Sequence, residues 1–468
     1  MKFPFIGDAY ASRSVNADAQ QCINLFLELD PASRSGAALY GTPGYTTRAT
    51  LAAAAVVRQS FEYDGVCYFV SGNKFYSMDT GYTATERGTL TTSSGYVSIQ
   101  TNGLVLLIVD GTDGYTYTIA SATFATVTDV DFPAAPVSCA MLDTLFVVVD
   151  GGTQAFYVSS DGSTWDGANF ASAESAPDNL LGVIADHQEL ILGGVDNTEV
   201  WYNSSDATFT FSRRAVIEVG IAGAGAMCKA DNSVFFLGSD GVVWRLNAYT
   251  PVRVSTHAIE YDIAQYDRSD CLMWSQKQEG HVFIWCQFPT GGKTWVYDVA
   301  SQKWHRRAYR NTGSGDLERH RANCYVYFNK KHLIGDYSNG KIYELSMDVY
   351  ADAGDPLPAI RVCQHVPDSK KFNQTTRYNS LAISIEGGVG LVSGQGSDPQ
   401  IMLKWSDDNG HTYGNEIWQD MGAQIGEYDA APQWDRLGSV RAPTCRVFWM
   451  EITDPVKRVI TGAILEAK

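Results

Sequence analysis

The chain has 468 residues, more than one hydrophobic core usually serves, so two domains are expected. Hydrophobic residues make up 45%, charged residues 19% and aromatics 12%, and 43 glycines accompany them, the mixture favoured by packed sheets. The formal charge of -17 argues against a protein that wraps nucleic acid by neutralising phosphates.

The opening residues, Met1-Lys2-Phe3-Pro4-Phe5-Ile6-Gly7-Asp8, lack the apolar core of a secretion signal. No stretch approaches the ~18 apolar residues of a membrane-spanning helix. Folding in the cytoplasm, with no membrane span, is the expectation. The nine cysteines contain no CxxC pair and cannot all pair within one chain, so they are read as reduced. Cys22 to Leu29 is apolar enough to form a strand, and we assign residues 1–55 to an N-terminal segment in which that strand closes a ring of later repeats.

From about residue 56 a unit recurs: an apolar strand, a Gly/Asp/Asn turn, then a strand tipped with aromatics. The apolar strands are Val66 to Val70, Leu104 to Val109, Leu145 to Val149, Leu190 to Leu192, Val234 to Leu237, Val282 to Cys286 and Tyr325 to Phe328. Turns such as Ser71-Gly72-Asn73, Asp150-Gly151-Gly152 and Ser338-Asn339-Gly340 follow them. The interval is about 38 to 49 residues, close to the roughly 40–45 of a four-stranded propeller blade. A lone blade leaves both apolar faces wet, so the units must stack radially and close a circle. The fold class is all-β: a β-propeller of about seven blades over residues 56–352, with six also fitting, rather than an irregular stack of meanders or two sandwiches. At Asp352-Ala353-Gly354-Asp355-Pro356-Leu357-Pro358 the texture changes, and residues 353–468 read as a C-terminal jelly-roll-like β-sandwich.

Motifs for chemistry are scarce. Gly291-Gly292-Lys293-Thr294 resembles the end of a phosphate-binding loop, but Gln287 stands where the leading glycine should be and a strand follows, so a hairpin turn is the better reading. Gly388-Val389-Gly390 begins a dinucleotide fingerprint that Ser393 breaks. The eight histidines are dispersed, with only the loose pair His305 and His320, and no metal, cofactor or catalytic residue is assigned. The densest positive run is Arg306, Arg307, Arg310, Arg319, Arg321, Lys330 and Lys331. It reads as a solvated outer strand or, more sharply, as a contact for an acidic partner, a neighbouring subunit or DNA. Ser406, Asp408, Gly410, Thr412 and Tyr413 follow the Asp-box pattern, in which an Asp accepts turn amides above a packed aromatic. Asp boxes also occur in sialidases, which supplies a rival reading as a propeller glycosidase or carbohydrate-binding protein; cleavage would further require paired carboxylates and an arginine cluster.

The ends of the chain carry a resemblance. Asn16-Ala17-Asp18-Ala19-Gln20-Gln21-Cys22-Ile23-Asn24-Leu25-Phe26, then Leu39-Tyr40-Gly41-Thr42-Pro43-Gly44-Tyr45, with the region Asp407 to Asn415 and Lys457 to Leu465, resembles the tail hub, or packaged-DNA stabilisation, proteins of short-tailed (podovirus) bacteriophages. The resemblance implies a non-enzymatic virion component assembled in the host bacterial cytoplasm. It implies a homo-oligomeric ring, a hexamer, below the portal-adaptor (head-to-tail) protein, in contact with a tail needle or plug and a tailspike or tail fibre. Such a ring retains packaged DNA and gives genomic DNA a conduit on ejection. An acidic bore repels phosphate and lets DNA slide, so acidic side chains are expected to dominate the lumen.

Overall fold

The computed structural model describes all residues except 1–4, 33–34, 174–176, 207–208, 367–373 and 424–426. Its architecture is all-β, with one short helix, His257–Ile263, between two of the repeats.

The repeats are four-stranded antiparallel meanders, and seven of them form a closed propeller. The first is Val57–Tyr63, Val66–Ser71, Lys74–Met78 and Ala84–Thr89; the second runs from Ser98–Thr101 to Thr123–Thr126. The third spans Pro136–Leu142 to Phe170–Ser172, the fourth Leu180–Asp186 to Phe211–Ile217, and the fifth Met227–Ala230 to Thr250–Arg253. The sixth spans Leu272–Gln278 to Lys303–Arg306. The seventh takes three strands from Ala322–Phe328, Lys331–Asp336 and Lys341–Ser346, and its fourth from the start of the chain, Gly44–Thr50.

The second strand of each blade explains why the apolar runs are continuous rather than alternating. Both of its faces are covered by neighbouring blades, so Leu106, Leu107, Ile108 and Val109 are all 0% exposed. The outermost strands meet solvent and are polar, as in Thr123–Thr126. Apolar clusters fill every gap between blades. Across the join between last and first blades, Val57, Cys67 and Phe69 pack against Cys324, Val326 and Leu333, and Asn323 Nδ2 donates to the Val57 carbonyl at 3.0 Å. The circle is therefore closed by side chains as well as by the borrowed strand.

Most first-to-second strand turns place two successive residues at positive φ, the type I′ geometry that matches strand twist. They include Asp64-Gly65 (49° and 74°), Asp143-Thr144 (49° and 68°), His187-Gln188 (46° and 65°), Asp231-Asn232 (47° and 55°) and Glu279-Gly280 (48° and 86°). Short polar residues tolerate that region by bonding locally, which is why Asp and Asn recur there.

The β-sandwich has two sheets. One is ordered Leu25–Asp30, Gly36–Gly41, Val459–Ala467, Thr375–Ile385 and Gln433–Arg441. The other runs Ala19–Ile23, Ala359–Val362, Val447–Ile452, Gln400–Ser406 and Ile417–Asp420. The expectation for Cys22 to Leu29 is corrected: the strand that closes the propeller is Gly44–Thr50, and the earlier stretch instead serves both sheets of the sandwich. The switch happens at Asn24, at φ 53°, where the chain leaves one sheet and enters the other. A parallel bridge from Ile23 to Arg306 joins the second sheet to the outer strand of the sixth blade, and one apolar cluster runs from Phe235 and Ile284 of the propeller to Phe448 and Leu465 of the sandwich.

Candidate functional site

Several of the chain's buried charges lie at the seam between propeller and sandwich. Arg361, 0% exposed, donates from Nε to the Phe5 carbonyl at 2.8 Å and from Nη1 to the carbonyls of Asp8 at 2.7 Å and Gln21 at 3.2 Å. Its Nη2 donates to Gln20 Oε1 at 2.5 Å, so one guanidinium ties the opening residues to the sandwich.

Asn24 works in the same way. It is 0% exposed, and its Nδ2 donates to the carbonyls of Ala308 and Pro358, both at 2.8 Å. Asn24 Oδ1 accepts from the Ala308 amide at 2.8 Å, and its own amide donates to the Arg306 carbonyl at 2.9 Å.

A second buried group is incompletely satisfied. Asp352 sits in register with Tyr45 on the closing strand, and among the described residues neither oxygen of its carboxylate has a hydrogen-bond partner. Tyr45 Oη and the Nε and Nη1 of Arg458 also lack partners, although Arg458 Nη2 donates to the carbonyls of Tyr350 at 2.9 Å and Asp454 at 2.8 Å. Burial holds the Asp352 carboxyl well above the usual carboxylate range and pushes Arg458 down to about 10.

Gly41-Thr42-Pro43-Gly44 carries the chain from a sandwich strand into the seventh blade. Gly44 is required by proximity: a Cβ there would lie 2.5 Å from the Ala351 carbonyl oxygen and 2.7 Å from that of Val349.

The basic run does not form one outward surface. Arg307 is 0% exposed, stacked 4.4 Å over Trp285 and 5.0 Å over Phe283, with both terminal nitrogens lacking acceptors. Beside it, burial pushes His320 down to about 3 and His305 well below its ordinary value. Arg319 stacks 4.1 Å over Tyr337, and Arg321 lies 4.1 Å over Tyr309 and 3.5 Å from Asp336. Arg310 pairs with Glu451 at 2.7 Å, and Lys331 with Glu344 at 2.8 Å. Arg306 is half-buried against the N-terminal segment, and Lys330 and Lys331, at a turn, are exposed.

The Asp-box residues form a stapled turn. Ser406 Oγ donates to Asp408 Oδ1 at 2.6 Å and accepts from the Gly410 amide at 2.8 Å. Asp408 accepts from the Thr412 amide at 2.8 Å and its hydroxyl at 2.6 Å, which holds the carboxyl well below the usual range. Tyr413 packs edge-on against Trp449 with ring centroids 5.3 Å apart. Ser159 and Asp161 make a shortened version, in which Asp161 Oδ1 accepts from the Thr164 amide at 2.7 Å.

Among the described residues, no group of three or more His, Cys, Asp or Glu is placed to hold a metal ion, and all nine cysteines are free. No helix among the described residues is long and apolar enough to cross a membrane. Nothing in the sequence marks Asn24, Asp352, Arg361 and Arg458 for these roles, because the partners of each lie elsewhere in the chain.

Two family models settle what this arrangement belongs to. Residues 1–350 match the description "Bacteriophage P22 Gp10, beta-propeller", and residues 368–468 match "Bacteriophage P22 Gp10, beta-sandwich". The chain belongs to the bacteriophage P22 Gp10 family. It is a phage tail hub protein, a structural component of the virion. The glycosidase reading finds no support.

Solved structures similar to this Gp10-family chain are distant. The computationally designed Ika8 protein matches at 11% identity and TM-score 0.42, over 65% of this chain and 99% of its own. The WD40 β-propeller domain of Doa1 matches at 12% identity and TM-score 0.44, over 65% of this chain and 97% of its own. PorZ, a surface component of the type-IX secretion system of Porphyromonas gingivalis, matches at 12% identity and TM-score 0.40; the match covers 81% of this chain and 46% of PorZ. A comparison with curated protein sequences gives no match.

Proposed function

We propose that six copies of this tail hub protein form a ring below the portal-adaptor protein, retain the packaged genome and pass it outward through an acid-lined bore, without catalysing a reaction. In this reading the ring meets the adaptor above, and a needle or plug and tailspikes or fibres below, and the subunits fold and assemble in the host cytoplasm.

The observation that carries the reading is the sign and placement of charge. The chain has a formal charge of -17, and much of its densest positive run is turned inward, with Arg307 and Arg319 buried and Arg310 and Lys331 ion-paired. The turns joining first and second strands lie at the same end of every blade, so Asp64, Asp143, Asp186, Asp231 and Glu279 share one rim of the propeller. A surface of that sign repels the DNA backbone at close range and suits passage rather than retention by contact.

The test is co-expression with the adaptor protein, followed by native mass spectrometry and a reconstruction of the assembled tail. Sixfold rings with a bore dominated by Asp and Glu are expected. A bore lined mainly by Lys and Arg would refute the conduit reading.

A further inference from the structure

A small pocket opens where the N-terminal strand Ala19–Ile23, the helix His257–Ile263 and the sixth blade meet, and the sheet register sets its chemistry. Lys293 and Trp295 are alternate residues on one strand and share a face, while Arg306 on the outer strand is the direct partner of Trp295. Two cations are thus diagonal neighbours on one wall. Gln20, Gln21 and Asp262 stand around them.

Neither cation is neutralised. Among the described residues, the Lys293 ammonium makes no hydrogen bond and no ion pair. Arg306 donates from Nη2 to the Leu317 carbonyl at 3.2 Å, while its Nε is buried without an acceptor. Asp262 is the one carboxylate lining the pocket, and its Oδ2 is already engaged by Trp295 Nε1 at 2.8 Å and by the Tyr266 hydroxyl. Burial and the adjacent Arg306 push Lys293 below its ordinary value, against the opposing pull of Asp262. Two like charges in a desolvated recess repel, and an unpaired buried donor is unfavourable, so the arrangement is incomplete as it stands.

We propose that this pocket binds one small tetrahedral oxyanion, inorganic phosphate or sulfate, held between Lys293, Arg306 and the Gln21 amide. The volume decides the size of the ligand. About 150 Å³ is space for roughly five waters at about 30 Å³ each, enough for such an ion with part of its hydration. It is far below the roughly 300–1,000 Å³ of pockets that take nucleotide-sized molecules. The loop Gly291-Gly292 before Lys293 contributes no cradle of amides, so the recognition is by side chains. Bound there, the ion joins three parts of the chain that are distant in sequence.

Equilibrium dialysis of the full chain against radiolabelled inorganic phosphate, at constant ionic strength set with chloride, tests this. One phosphate per chain is expected. Lys293→Met, which removes a cation that no protein group is using, should keep its unfolding midpoint in chloride buffer and weaken phosphate binding at least tenfold. Asp262→Asn raises the net positive charge of the pocket and should tighten binding severalfold, so the two variants move in opposite directions. Duplex DNA at equal phosphate content should leave the bound ion in place. Absence of saturable binding, equal affinity in both variants and the wild type, or displacement by duplex DNA would each overturn the proposal.

Discussion

Asn24 and Ala308 hold each other through both backbone groups of Ala308: its amide donates to Asn24 Oδ1 and its carbonyl accepts from Asn24 Nδ2, each at 2.8 Å. The contact spans 284 residues of sequence and lies where the sandwich meets the linker after the sixth blade. Asn is suited to the position twice over, because it bonds with both ends of its amide and tolerates a φ of 53°. Asn24→Ala should cost about 3 kcal/mol, from unsatisfied buried groups and a strained backbone, and Asn24→Gly somewhat less. Urea unfolding followed by tryptophan fluorescence checks the order.

Gly44→Ala should open the seventh blade. The added methyl meets backbone atoms of Ala351 and Val349 that cannot step aside without breaking the register of Asp352 with Tyr45. The expected result is early proteolytic cleavage around residues 44–50, with the first six blades protected.

Arg361 and Arg307 are both fully buried, yet their removal should have opposite signs. Arg361→Met abandons three carbonyls and the Gln20 side chain, and should cost about 3–5 kcal/mol. Arg307→Met gives up a single long hydrogen bond among the described residues, from Nε to His305 Nε2 at 3.4 Å, and fills the same space between Trp285 and Phe283, so it should be neutral or stabilising. Comparing the two midpoints under one set of conditions decides the point.

Stability should depend on pH in two windows. His320 is held at about 3, below its ordinary 6.5, so the unfolded chain takes up its proton first. The stability it contributes is complete above 6.5 and is lost as pH falls toward 3, and His320→Asn should flatten that fall. Asp352 is shifted the other way. Its contribution is complete below the ordinary carboxylate range and is lost as pH rises from there, so Asp352→Asn should be more stable than the wild type at neutral pH. Unfolding midpoints measured from pH 4 to 8 test both signs.

Asp408→Ala should release the Thr412 amide without disturbing the sandwich core, since the turn projects from its edge. Hydrogen exchange should speed up at Gly410 and Thr412 and stay unchanged at Phe448 and Met450.

The propeller was legible in the sequence because its physics is local. Runs such as Leu104 to Val109 repeat at blade spacing, and turns such as Asp150-Gly151-Gly152 announce the hairpins between them. The closing strand was not legible, since Cys22 to Leu29 is more apolar than Gly44–Thr50 and only the register with Lys341–Ser346 distinguishes them. The basic run misled in a similar way. Its arginines are charged in sequence, but Trp285, Tyr309 and Tyr337 supply stacking faces that carry guanidinium groups inside, and aromatic partners on other strands leave no mark near Arg307 or Arg319.

The borrowing of early strands by late partners has a consequence for synthesis. Strands Ala19–Ile23, Gly36–Gly41 and Gly44–Thr50 each find a neighbour beyond residue 300, so the nascent chain carries these three edges open while six blades are made. A chain truncated midway has an open last wedge and half a sandwich, and its bare sheet edges are where pairing with the wrong partner would begin.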